Sequence, residues 1–159
     1  MITPADILQL VRTKDEANEF QKQLDNLLNV LFTNVPFEVL LREHISYEKQ
    51  EKLLTLFSKE HVNTKQLPDV QTCLQEIKKI IVQTPVLRLA IAFAPKQNLL
   101  EIIATWFLVN TKRPVLLDVI VNKNLIGGAV IEYKGLFKDY SLKRILEEKY
   151  QQGNLSLKP

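Results

Sequence analysis

Glycine is scarce in this chain: four residues out of 159, and none before Gly127. Cysteine is scarcer still. The single Cys73 cannot form an internal disulfide, and its place in a helical pattern marks it as a small apolar residue, buried or half-buried. No apolar run approaches the roughly 20 residues that span a bilayer. The opening stretch MITPADILQLVRTKDE lacks the basic start and long apolar core of a signal peptide, so a cytoplasmic location is expected. Net charge is only +3, too little by itself to imply nucleic acid. From Lys112 onward, nine Lys and Arg face five Asp and Glu, a balance of +4; the first 111 residues carry twelve against thirteen, or −1. The basic end weakly favours an acidic partner or a membrane-adjacent position.

Groups that carry chemistry are equally sparse. His44 and His61 are the only histidines, without metal-ligand spacing and without a cysteine pair. No Gly-x-Ser-x-Gly elbow is present. Glu147 and Glu148 neighbour lysines on a solvated helix face, which disfavours paired acid–base duty. The aromatic–basic interleaving of an RNA-binding strand is missing. Neither an enzyme nor a cofactor or metal protein is expected.

What is present divides in two. Residues 1–84 carry helical spacing throughout. TPAD places Thr3 as a cap, Pro4 in the first turn and Asp6 three residues after the cap. TKDE repeats the pattern with Thr13 and Glu16, followed by Phe20, Leu24, Leu27, Leu28 and Leu31 at helical intervals. NVPFEVLLREH predicts a third helix. SYEKQEKLLTLFSKE predicts a fourth, capped by Ser46, with Leu53, Leu54, Leu56 and Phe57 apolar. LPDVQTCLQEIKKIIVQ predicts a fifth, with Val70, Cys73, Leu74, Ile77, Ile80 and Ile81 on one broad face. Proline enters only at helix starts, the grammar of a small helical bundle.

From residue 85 to 159 the period changes. Val86–Phe93 alternates as a strand, with Leu87, Leu89, Ile91 and Phe93 on one face. Pro95 opens a helix with Leu99, Ile102, Ile103, Trp106 and Phe107 inward. VLLDVIVN is a second strand, and the strand–helix–strand order predicts a right-handed crossover and a parallel pair. LIGGAVIEY is a third strand. Lys134-Gly135 turns into LFKD, and Asp139 or Ser141 caps a last helix with Leu142, Ile145, Leu146 and Tyr150 on one side. The expected class is α+β: a helical bundle followed by a small β-α-β-β-α domain.

Two glycines in the β-prone run at Gly127-Gly128 need a reason. A phosphate cradle would lead directly into a helix N-terminus, whereas these lead into more strand. An architectural role is expected, with the helix Pro95–Thr111 packed closely against them.

Residues 86–150 resemble the C-terminal part of the delta subunit of F-type ATP synthases, the counterpart of the mitochondrial oligomycin-sensitivity-conferring subunit. The family pattern is strand, helix, strand, a Leu-Ile-Gly-Gly hairpin, then Asp-Gly-Ser and a basic helix with a late leucine. NKNLIGG supplies Leu125, Ile126, Gly127 and Gly128; KDYSLKRILEE supplies Asp139, Ser141, Arg144 and Leu146. Tyr140 stands where the family usually has glycine. The segment from Phe20 to Phe57 is similar to the family's second to fourth helices, and Leu67-Pro68 to the start of its last. TPADILQLV does not match the family's Tyr-Ala-x-Ala-Leu-Phe opening helix, and the segment between Phe57 and Leu67 is too short for its usual extra helix.

The resemblance implies a stator without catalysis or cofactor. Residues 1–84 would grip the N-terminal helices of the alpha subunits, and residues 85–159 would hold the b-type stalk subunits. The chain would sit peripherally on the cytoplasmic side of the cell membrane, within a complex, without membrane insertion or nucleic-acid binding. The alpha helix would lie in a partly exposed apolar groove between the first and last bundle helices, offered by Ile7, Leu8, Val11, Val70, Leu74, Ile77 and Ile81. The alternative is a small βαββα nucleic-acid or regulatory module fused to a helical bundle.

Overall fold

Two capping boxes open the chain. Thr3 Oγ1 accepts from the Asp6 N–H while the Asp6 carboxylate accepts from the Thr3 N–H, and Pro4 completes the first turn of α1 (Pro4–Leu10). Thr13 and Glu16 repeat the arrangement at α2 (Lys14–Val30). Then come α3 (Phe37–His44), α4 (Tyr47–Lys59) and α5 (Leu67–Gln83). Ser46 occupies the cap position of α4, but its side chain makes no capping bond. The computed structural model describes residues 1–151. Residues 152–159, which belong to the expected second part, lie outside it.

The apolar stripes of these helices converge on one core. Phe20, Leu24 and Leu27 from α2, Leu53 from α4, and Leu74 and Ile77 from α5 are fully buried. Each is worth about 1.5–3 kcal/mol relative to exposure. The Phe37 and Phe57 rings pack 6.1 Å apart. Lys49 is buried along its stem, with its ammonium 5.2 Å from the centre of the Phe20 ring. Cys73 lies within the core. Burial first, then Glu76 and Glu60, push its thiol up to about 12, so it stays protonated and unreactive.

Past Thr84 the backbone becomes a sheet. Among the described residues this region holds β1 (Val86–Ile91), α6 (Gln97–Thr111), β2 (Leu116–Val121), β3 (Gly128–Tyr133), β4 (Leu136–Ser141) and α7 (Leu142–Gln151). The strand order is β2-β1-β3-β4, with β1 and β2 parallel and the other pairs antiparallel. The class is α+β, as the sequence implies.

Several details differ from the sequence reading. The sheet has a fourth strand. Lys134 and Gly135 both take positive φ, at 50° and 77°, and form the two-residue turn that folds β4 back onto β3. β1 stops at Ile91, so Phe93 is exposed beyond it rather than on its inner face. α6 begins at Gln97, with Lys96 as its cap. Its inward residues are Leu100, Ile103, Ala104 and Phe107; Leu99 is only partly covered, and Ile102 and Trp106 face outward.

The two regions meet through backbone as well as side chains. The Leu117 N–H donates to the Arg12 carbonyl at 2.9 Å, and Thr13 bridges Leu117 in parallel fashion. Leu116 belongs to the bundle core, and Leu108 packs against it. Lys14 pairs with Asp118 at 3.3 Å and Arg12 with Glu101 at 3.0 Å. Glu16 accepts from the Arg12 N–H at 2.8 Å and from Gln97 Nε2 at 3.2 Å. The change from helix to sheet falls at Thr84-Pro85, yet the core runs across it.

Candidate functional site

The segment between β2 and β3 builds a tight corner. Asn122 accepts from the Asn124 N–H at 3.0 Å and starts a single 3-10 turn, Lys123–Leu125. Ile126 follows at φ 64°, a strained conformation for a β-branched residue. The corner then meets the start of α7. The Leu142 N–H donates to the Gly127 carbonyl at 2.9 Å. Gly128 has φ +78° and pairs with Ser141. A Cβ on Gly128 would stand 2.3 Å from the Tyr140 carbonyl oxygen. Gly128 is therefore architectural, but its close neighbours are the end of β4 and the start of α7, not α6 as the sequence suggested. A Cβ on Gly127 would meet only Leu142, at 3.7 Å.

Asp139 and Ser141 complete the corner. Asp139 Oδ1 accepts from the Ser141 N–H at 2.7 Å, and Ser141 Oγ accepts from the Arg144 N–H at 3.2 Å. Ser141 is thus the residue that caps α7. Hydrogen bonding from Ser141, hydroxyl first and backbone N–H second, holds the Asp139 carboxyl below its ordinary range; Arg144 and Lys143 add to this. Of the motif residues, Gly127, Gly128, Asp139 and Ser141 meet at one place, and Leu125 and Ile126 lead into it. The seventh, Leu146, lies on the helix that this place holds.

That helix lies open to solvent. None of its residues is buried, and Leu146 is 41% exposed. Leu142, Ile145, Leu146 and Tyr150 recur at helical spacing, and all four are exposed. Arg144 and Glu148 pair at 3.1 Å beside them. A second apolar stripe lies on the outside of α6, where Ile102, Trp106 and Val109 are 62%, 60% and 57% exposed. Trp106 was expected in the core. Glu101 is the only charged residue of the fifteen in α6. A helix apolar nearly all round gives no sequence signal for which side turns in.

The bundle offers no such surface where the sequence placed one. Ile7, Leu8, Val11, Val70, Leu74, Ile77 and Ile81 are all at most 8% exposed. The expected groove between α1 and α5 is closed. The broad apolar face of α5 packs against both α1 and α2, which cover most of its width; Ile80 at its edge is half-buried.

Among the described residues, no His, Cys, Asp and Glu side chains gather in a group that could hold a metal ion. Among the same residues no helix is long and apolar enough to cross a membrane. Compared with known proteins, the chain matches no protein-family model and no curated sequence.

Proposed function

We propose that this chain is a non-catalytic linking subunit of an F-type ATP synthase, joining the catalytic head to the peripheral stalk. The observation that carries the reading is the corner itself. Of the residues that give the resemblance, Gly127-Gly128 and Asp139–Ser141 lie apart in sequence and come together at the origin of α7. A helix held that firmly, with leucine and isoleucine left open to solvent, suits an amphipathic partner helix. In this reading the outer faces of α7 and α6 hold b-type stalk helices, while the bundle meets the alpha subunits through its outer surface. Such a subunit transmits torque and does no chemistry. It is peripheral, on the cytoplasmic side of the cell membrane.

The test is titration of the full chain with synthetic peptides of the cognate stalk C-terminus and alpha N-terminus. Leu146→Asp, at an exposed position, leaves the fold intact and weakens the stalk peptide by about tenfold or more. The alpha peptide binds this variant as it binds wild type. A wild-type chain that binds neither peptide, or a Leu146→Asp variant that binds the stalk peptide normally, overturns the reading. Binding to nucleic acid that falls steeply with salt would support the alternative module instead.

A further inference from the structure

The sheet has two outer edges, β2 and β4, and the chain treats them differently. On β2, the Leu117 N–H already donates to the Arg12 carbonyl, and Thr13 bridges the same residue. β4 has β3 on one side, and its other main contact among the described residues is α7, the helix that continues from its end.

The backbone of β4 can be followed residue by residue. Tyr133 faces Leu136 across the two-residue turn, and at the far end the Leu142 N–H donates to the Gly127 carbonyl at 2.9 Å. Bonded and non-bonded pairs alternate along an antiparallel ladder, so Leu136, Lys138 and Tyr140 turn their N–H and C=O groups toward β3. Those of Phe137 and Asp139 turn outward, and none of them is bonded elsewhere among the described residues. Ser141, the next outward residue, gives its N–H to Asp139 Oδ1 and ends the open stretch.

An open edge invites another strand, and folded chains blunt it with proline, a bulge or a covering element. The pairing of β4 with β3 is unbroken over its six residues, none of which is proline. Leu136 and Phe137 are 71% and 65% exposed. What restrains the edge is charge. Lys138 is exposed and forms no ion pair among the described residues. The Asp139 carboxylate is already engaged by Ser141.

Lys138 decides what the edge accepts. A second copy of the chain paired antiparallel about Lys138 would set two lysines face to face, and paired about Asp139 two aspartates, both unfavourable. Paired about Phe137, it would leave both lysines without a carboxylate. The charge therefore works against self-pairing and favours a strand that brings an acidic residue. Leu136, Lys138 and Tyr140 share one face of β4 and Phe137 lies on the other, so the matching strand has apolar, acidic and apolar residues at alternate positions.

We propose that the outer edge of β4 takes up an extended segment of a partner protein as a fifth strand, with an acidic residue opposite Lys138 and apolar residues two positions to either side. The Phe137 and Asp139 backbone groups supply the hydrogen bonds, and Lys138 supplies the selectivity. The inference does not rest on the stator reading, since it uses neither the α6 stripe nor the α7 stripe.

The experiment is an NMR titration of the full chain with the blocked peptide Ser-Val-Thr-Glu-Val-Val-Ser, against the same peptide carrying Lys in place of Glu. The expected result is saturable shifts along β4 with the Glu peptide, and slowed hydrogen exchange at the Phe137 and Asp139 amides. The Lys peptide binds about fivefold more weakly, or not at all. Lys138→Glu, at an exposed position, melts like wild type and reverses the preference between the two peptides. Four outcomes overturn the proposal: no saturable shifts with the Glu peptide, shifts that leave the Phe137 and Asp139 amides exchanging as in the free chain, equal binding of both peptides, or concentration-dependent protection of those amides without peptide, which would assign the edge to a second copy.

Discussion

The bundle and the sheet region bury their apolar residues differently. In the bundle, every helix from α1 to α5 drives its stripe into one core. In the sheet region, Leu87, Leu100, Ala104, Val115 and Leu117 form a smaller core under α6, and much of the remaining apolar surface stays outside. α6 exposes a tryptophan, and α7 buries nothing. The bundle closes its stripes on one another and on Leu116 from β2, whereas the sheet region leaves two apolar stripes open to solvent. Exposed apolar stripes on two helices of one small region are a recognised mark of interaction surfaces.

The largest expected effect tests the completeness of the bundle. Leu74→Ala costs about 2–5 kcal/mol, because it opens a cavity in close-packed surroundings. Trp106→Ala, although a larger truncation, stays within about 0.5 kcal/mol in the isolated chain, since the ring faces solvent. Denaturant unfolding of the two variants measures both. A Trp106→Ala loss comparable with that of Leu74→Ala would abolish the contrast.

The next effect lies within the sheet region. Gly128→Val costs at least about 2 kcal/mol, from its left-handed backbone and its collision with the Tyr140 carbonyl. Gly135 has similar φ but open space around its Cβ position. Gly135→Asn is therefore close to neutral, as asparagine tolerates that conformation. Thermal melts of the pair separate a close approach from a simple turn requirement.

A smaller effect concerns the junction between the regions. Burial raises the Glu16 carboxyl, but bonds from the Arg12 N–H, Gln97 and the Thr13 N–H, with the Lys49 charge, outweigh it and hold the group below its ordinary value of 4.5. A carboxyl lowered on folding stabilises fully above 4.5 and loses that contribution as pH falls through the folded value. Acidification below that point should loosen the junction, visible as faster hydrogen exchange at the Leu117 amide relative to the Leu74 amide. Glu16→Gln should show the same loosening at neutral pH and little further change on acidification.

The smallest effect is Asp118→Asn. It breaks pairs with Lys14 and Arg88 that are only partly shielded. A loss of at most about 1 kcal/mol is expected. A larger loss would show that this pair of contacts, rather than the shared core, joins the regions.

Much of this contrast was legible in the sequence, and the rest failed for identifiable reasons. Thr3 and Thr13 announce their helices because capping boxes are local, with both partners within three residues. The corner was visible as motifs, since Gly128, Asp139 and Ser141 need particular residue types. β4 escaped notice because Lys138 and Asp139 interrupt its apolar alternation, and because asparagine, not lysine, is the usual sign of its turn. The seven residues expected in a groove were misjudged because a wide apolar face looks the same whether it meets a partner or two neighbours within the chain. α7 shows the converse: its stripe reads like a core-facing helix, and only the structure reveals that little covers it.

The hydrogen bond from Leu117 to Arg12 has a consequence for folding order. It closes a loop of roughly a hundred residues, longer than any closure within the bundle, where α1 meets α5 across about seventy. Long closures are entropically costly and form late. Domains also emerge from the ribosome N-terminus first. During synthesis, the Arg12 carbonyl and the gap later filled by Leu116 wait while some hundred residues are added. The nascent bundle is thus a nearly finished core with one vacancy, and the arrival of β2 both fills it and forms the parallel pair of the sheet with β1.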